Sequence, residues 1–407
     1  MRNLIYSLVF SIGLMGCDQT RTLEPSLGIW RAELKVMDGQ VLPFNFKLMK
    51  SDGNSYAMEI YNAEEVILVD EIRIDKDSIL MKTPVFEGYL VAKFGPTSME
   101  GEFIKESLDR IVPFVATFGE VERFDAKDPS EVNLSGIWET EFSGGTEDQY
   151  MGKGVFVQNG DKIKGTFQTP TGDYRYLDGI VDGDSLKLSA FDGAHAFLFA
   201  AKATDSSLNG IFYSGNHFKE PFVGHRNEGF ELPSPDSLTF LKEGYDTLAF
   251  SFPDPYGNVI SLTDNRFKDK VVLVQIMGTW CPNCLDETKF YVDYLKRNKN
   301  ENLEVVALAF EYAKTKEGAF KSIKRLQERI GVGYPILLAQ FGTSDKEKAQ
   351  EKLPMLNHVL SYPTTLFIDK KGEVRKIHTG FNGPATGKKF TLFKTEFDSF
   401  VTQLLSE

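Results

Sequence analysis

The stretch GIWRAEL, Gly28 to Leu34, returns 108 positions later as GIWETEF, Gly136 to Phe142. The correspondence continues: DKDSILMK at Asp75 to Lys82 parallels DGDSLKLS at Asp182 to Ser189, and MEGEF at Met99 to Phe103 parallels LNGIF at Leu208 to Phe212. A repeat of this period means two copies of one structural module, so the second copy must share the fold of the first. Within the copies, short β-branched and aromatic runs such as GVFVQ, YRYLDGIV and HAFLFAAK are separated by turn sequences such as NGD and DGD. That pattern predicts a strand meander closing into a small antiparallel barrel or sandwich, with module 1 over 24–125 and module 2 over 131–228. Trp30 and Trp138 are expected as core plugs at the barrel ends.

Beyond residue 228 the pattern changes. GFELPSPDS, Gly229 to Ser237, carries the prolines and polar residues of a linker, placed over 229–246. From 247 to 407, VVLVQIM and LEVVALAF are nearly continuous apolar runs, which suit strands buried on both faces. Phe320, Ile323, Gln327 and Ile330 fall at helical spacing, and Phe393, Phe397, Phe400 and Leu404 form one stripe of a closing helix. The expected architecture is therefore multidomain, two all-β repeats followed by an α/β domain.

A formal charge of -12 repels phosphate backbones, so nucleic acid is excluded as a partner. The chain holds three cysteines, and the first lies at the end of a leader. Arg2 precedes the apolar run Leu4 to Met15, and LMGC ends at Cys17. This resembles a bacterial lipoprotein signal. The resemblance implies removal of residues 1–16, lipidation of Cys17, and attachment to a bacterial membrane outside the cytoplasm, facing the periplasm rather than the cell surface. The only remaining thiols are then Cys281 and Cys284, in a compartment that favours oxidation.

That pair sits in GTWCPNCLDE, Gly278 to Glu287. Val271 to Met277 is expected as a central strand, followed by a helix from Pro282 to about Arg297 with Leu285, Thr288, Val292 and Leu295 facing inward. Cys281 then meets the unpaired amides and positive dipole end of the helix, the setting of a nucleophilic thiol. Pro282 is tolerated in a first turn that needs no donor from it, and Cys284, one turn on, is placed to resolve a mixed disulfide. A zinc site wants four Cys or His ligands; there is no second cysteine pair, and His195, His217, His225, His358 and His378 include no closely spaced pair. Redox chemistry without metal or cofactor is therefore preferred over a metal site or an inert disulfide.

Residues from about Thr247 to Leu405 resemble the thioredoxin-like disulfide oxidoreductases of the TlpA/ResA type. The resemblance is carried by FPDPYGNVISL, KDKVVLVQIMGTWCPNC, Glu287 and YPTTLFIDKKGEV, which begins at Tyr362. It implies a thioredoxin fold in which Cys281 attacks substrate disulfides and a cis Pro363 faces the pair, turning the Tyr362 backbone toward the sulfurs for pairing with an extended substrate. Glu287, three positions after Cys284 and matching a glutamate of the family, is expected to exchange protons with the resolving thiol. Trp280 is expected to shield Cys281 and touch substrate, and Asp286 to lie at the surface. Gln275 replaces the buried acid of thioredoxin, and Lys289 a helix-kinking proline found in relatives.

The function these features imply is a membrane-tethered disulfide reductase. Its partners are protein disulfides, a membrane or soluble thiol donor that restores the dithiol, and the membrane itself through the N-terminal lipid. Two alternatives stand beside it: a thiol peroxidase of the same fold, and a ligand-binding surface lipoprotein with an auxiliary redox domain.

Overall fold

The computed structural model describes residues 23–51, 53 and 55–407; the leader and Cys17 lie outside the described residues. The first repeat is one nine-stranded antiparallel meander whose opening strand, Gly28–Lys35, pairs with its last, Arg110–Phe118. The second repeat has the same strand succession, and Gly136–Phe142 pairs with Phe218–Arg226 in the same way.

The repeats differ at one seam. In the second, Lys162–Thr169 pairs with both Tyr150–Asn159 and Leu177–Asp182, which closes the barrel. Its intervening strand is only two residues long, Gly172–Asp173. In the first repeat the equivalent strand is the five-residue Glu65–Val69, and it and Glu71–Asp75 form the two unpaired edges of a nearly closed barrel.

Period-2 alternation directs the inward set: along Gly136–Phe142 the buried positions are Trp138, Thr140 and Phe142. Trp30 and Trp138 are fully buried, and each indole N–H donates to a carbonyl four residues earlier, Ser26 and Leu134, at 2.9 Å. The two barrels meet through Phe44 stacked on Phe191, ring centroids 4.4 Å apart, and through Asn62 Nδ2 donating to the Phe191 carbonyl at 2.9 Å.

The C-terminal unit is a five-stranded sheet in the order Ile336–Gln340, Leu303–Phe310, Val271–Met277, Thr364–Ile368, Val374–Thr379. The first three strands run parallel and the last two antiparallel to their neighbours. Every residue of the central strand is buried, which explains why it is apolar at every position but Gln275. Around the sheet run helices α1 (Pro282–Arg297), α2 (Lys316–Ile330), α3 (Lys346–Lys352) and α4 (Lys388–Ser406). Phe290 of α1 packs edge-on against Phe393 and Phe397 of α4, the stripe expected for the closing helix.

Residues 229–246 are held along this unit. Thr379 Oγ1 donates to Thr239 Oγ1 at 2.9 Å, and Lys242 N donates to the Met355 carbonyl at 2.8 Å. The barrels also press on the unit directly: Val85, Phe86 and Ala194 share its buried apolar cluster, while Arg325 and Arg329 of α2 donate to Glu71 and Asp70 at 2.6 Å each.

Candidate active site

The central strand delivers Gly278, Thr279 and Trp280 to the edge of the sheet, and α1 begins immediately afterwards. Cys281 is the N-cap of α1: its sulfur accepts the Cys284 amide at 3.2 Å. Both cysteines are free thiols, Cys281 at 7% exposure and Cys284 at 0%. The Tyr362–Pro363 peptide bond is cis, and the Tyr362 carbonyl accepts the Cys281 thiol at 3.3 Å. Cys281, Cys284, Tyr362 and Pro363 are thus gathered from two distant segments.

Trp280 folds over this edge. Its indole donates to the Phe310 carbonyl at 2.9 Å and lies between Tyr312 and Tyr362, at centroid separations of 5.5 and 5.6 Å. The fold-over needs a glycine two residues before it, because a Cβ at Gly278 would come within 2.3 Å of the indole nitrogen.

Beneath the cysteines, Glu287 is wholly buried on α1. Gln275 Nε2 donates to Glu287 Oε2 at 2.8 Å and approaches the Cys284 carbonyl at 3.4 Å. The other carboxylate oxygen accepts from Thr365 Oγ1 at 3.0 Å and from the Tyr291 hydroxyl at 2.9 Å. Burial raises the Glu287 carboxyl from its ordinary 4.5 to about 7, against the pull of these three donors. Burial, then the Cys281 sulfur, hold the Cys284 thiol well above its ordinary value, with Glu287 adding to the effect.

A second buried carboxylate flanks the cysteines and was missed in the sequence. Glu311 accepts from Thr279 N at 2.8 Å and Thr279 Oγ1 at 2.7 Å, and burial raises it to about 7 as well. A signal existed: Glu311 directly follows a parallel strand paired with the cysteine-bearing one, so its side chain had to emerge at the same sheet edge.

Asp286 corrects an expectation. It is buried rather than at the surface, and Arg175 of the second barrel forms an ion pair with it. Arg175 also meets Glu65 of the first barrel at 2.5 Å and Asp192 at 3.7 Å. Although burial works against its charge, Asp286, Glu65, Asp192 and Asp173 hold the guanidinium well above its ordinary range.

Two adjacent thiols, the outer capping a helix and facing a cis-proline carbonyl, are an arrangement for thiol-disulfide exchange. The model of the AhpC/TSA family matches residues 244–377. The thioredoxin-like protein YneN of Bacillus subtilis is 30% identical over 140 residues, spanning 34% of this chain and 73% of that protein. This chain belongs to the thioredoxin-like thiol-disulfide oxidoreductases. The thiol-disulfide oxidoreductase ResA of Bacillus subtilis is 28% identical over 142 residues, 34% of this chain and 69% of that protein. Among solved structures, a thiol:disulfide interchange protein of the thioredoxin family from Chlorobium tepidum is 20% identical, covering 40% of this chain and 98% of its own, with a TM-score of 0.30. A thiol-disulfide oxidoreductase from Bacteroides fragilis is 18% identical, covering 37% and 99%, with a TM-score of 0.27. In this oxidoreductase the thioredoxin-like unit follows two barrel-like all-β repeats.

Proposed function

We propose that the chain is an extracytoplasmic disulfide reductase, tethered to a bacterial membrane by lipid on Cys17, that reduces disulfides in protein clients. The observation that carries the reading is the stacking of Cys281 over Cys284, with the Tyr362 carbonyl on one side and Glu287 below. Deprotonated Cys281 attacks a client disulfide, forming a Cys281–client disulfide and releasing one client thiolate. Cys284 then passes its proton to Glu287 and attacks Cys281 sulfur, releasing the second client thiolate and leaving the Cys281–Cys284 disulfide. Two electrons have moved from enzyme to client, and an external thiol donor returns them.

Glu287 suits the proton transfer because a carboxyl at about 7 is half ionised near neutral pH, able to take a proton and to return it. Trp280 and the Tyr362–Pro363 loop border Cys281 and supply the client contacts, with the Tyr362 backbone available to an extended segment. A resolving thiol one helical turn from the first supports disulfide exchange over the peroxidase alternative. No helix among the described residues is long and apolar enough to cross a membrane, so the proposed tether rests on the N-terminal lipid.

The test is insulin reduction by wild type and Cys281→Ser, together with trapping on Cys284→Ser in the native envelope. Thiol-dependent turnover lost in Cys281→Ser, with client proteins recovered as mixed disulfides on Cys284→Ser, is expected. Peroxide consumption without disulfide turnover would move the assignment to the peroxidase.

A further inference from the structure

The second barrel reaches the rim of the cysteine site through the loop from Thr169 to Tyr174. Three separate segments of the thioredoxin-like unit hold it. Asn283, between the two cysteines, donates to the Asp173 carbonyl at 3.2 Å, and Ser361, next to Tyr362, donates to the Thr171 carbonyl at 3.0 Å. Gly172 forms a parallel β-bridge with Phe381. Beside it, Gly380 has φ +77 and a Cβ there would lie 2.7 Å from the Thr171 carbonyl carbon, so the contact requires glycine. The Gly383 amide is held by Asp173 Oδ2 at 2.6 Å.

Next to this loop opens a cleft of about 630 Å³. Pro170, Tyr174, His195 and Phe197 line it from the barrel, and Asn283 and Leu360 from the other side. The His195 ring stacks on Phe197 at 4.4 Å, giving a flat aromatic wall. Lys346 stands in the same lining; partial burial lowers its ammonium below the ordinary range, and the Cys281 sulfur opposes that shift. The volume falls within the roughly 300–1,000 Å³ of ordinary ligand pockets.

We infer that this cleft is the specificity pocket of the reductase, shared between the second barrel and the thioredoxin-like unit, and that it takes an apolar or aromatic side chain adjacent to the client's cysteine. The inference rests on the proposed reductase function. Because Asn283 lines the cleft and lies between the cysteines, a client disulfide that reaches Cys281 brings its flanking residues to the cleft mouth. The aromatic wall rewards apolar residues there, whereas a carboxylate loses solvation against those rings and gains nothing from them unless it reaches back to Lys346, which is exposed at the rim. The barrel thereby acts as part of the client site rather than as a spacer.

The test uses the full chain and three probes: hydroxyethyl disulfide, and two peptide disulfides identical except for Phe or Asp beside the cysteine. Wild type should favour the Phe peptide by about tenfold in kcat/KM, the scale of one good apolar contact. Pro170→Asp or His195→Ala on the barrel side, and Leu360→Asp on the opposite wall, should each bring the ratio toward one. All three should leave hydroxyethyl disulfide turnover unchanged, which also reports an intact fold. Equal rates for the two peptides in wild type would overturn the pocket. A ratio that responds to Leu360→Asp but to neither barrel variant would overturn the barrel's share in it. Failure of wild type to reduce any of the three probes would instead remove the reductase reading, and the pocket with it.

Discussion

Gln275 donates its side-chain amide to Glu287 at 2.8 Å, tying the central strand to the carboxylate beneath the cysteine pair. An amide cannot hold the proton that an acid at this position would, so in the proposed cycle the proton of Cys284 falls to Glu287. Its partners Gln275, Thr365 and Tyr291 are all placed to donate, which steadies the ionised form, while burial favours the neutral one. In Glu287→Gln, single-turnover resolution of a Cys281 mixed disulfide should slow by about a hundredfold, within the usual reach of general acid–base catalysis. The inflection near pH 7 in its rate profile should disappear. A variant with an unchanged profile would mean that Glu311 or water carries the proton instead.

The same burial predicts a slope of stability with pH. Glu287 and Glu311 are both raised from 4.5 to about 7 in the folded chain, so each binds its proton more tightly folded than unfolded. Their contribution is fully present below about 4.5 and is lost as pH rises through about 7. Asp192, held at about 2, titrates outside this window. His217, which burial lowers to about 4, works in the opposite sense within it and cancels when variants are compared with wild type. Urea unfolding at pH 5 and pH 8 should show Glu287→Gln and Glu311→Gln gaining stability relative to wild type on going from pH 5 to pH 8. A pH-independent difference for either variant would mean that its carboxyl is not shifted.

Much of this site was legible in the linear order because its chemistry is local. Cys281, Cys284 and Glu287 follow one another at three-residue intervals from the N-cap of a single helix, and the apolar run ahead of them could only be a central strand. The barrels were legible from the repeat itself. Asp286 was misread because its partner, Arg175, lies 111 positions away in another folded unit, and no periodicity on α1 distinguishes a solvated acid from one buried against a guanidinium. The docking of residues 169–174 beside the cysteines was equally hidden, since it depends on backbone carbonyls and on Gly380, whose role appears only when Thr171 lies against it.

Gly278 offers a direct check on the role of Trp280. A Cβ at this position, 2.3 Å from the indole nitrogen, would push the ring away from the Phe310 carbonyl and off the cysteine edge. Gly278→Ala should lower kcat/KM for a peptide disulfide by about tenfold, matching the loss of one well-packed contact. Its tryptophan emission should also shift to the red as the indole gains exposure. Retention of both wild-type emission and wild-type kcat/KM would remove Trp280 from the client site.

Arg175 is the cation on which four carboxylates from three units converge. Asp286 pairs with it next to the cysteines, Glu65 comes from the first barrel, and Asp173 and Asp192 belong to its own. Removing one side of a buried ion pair leaves the other side charged and desolvated, at a cost of about 3–5 kcal/mol. Arg175→Met should therefore lower stability by about that amount, read as the midpoint of denaturant unfolding. Freed from Asp286, the loop beside Asn283 should also become open to limited proteolysis. Adding Asp286→Asn should recover part of the stability, because one stranded charge is removed, but should not restore protection of the loop. A single variant that unfolds at the wild-type midpoint would show that these carboxylates are neutral in the folded chain and that the barrels are held to the redox unit by their apolar contacts alone.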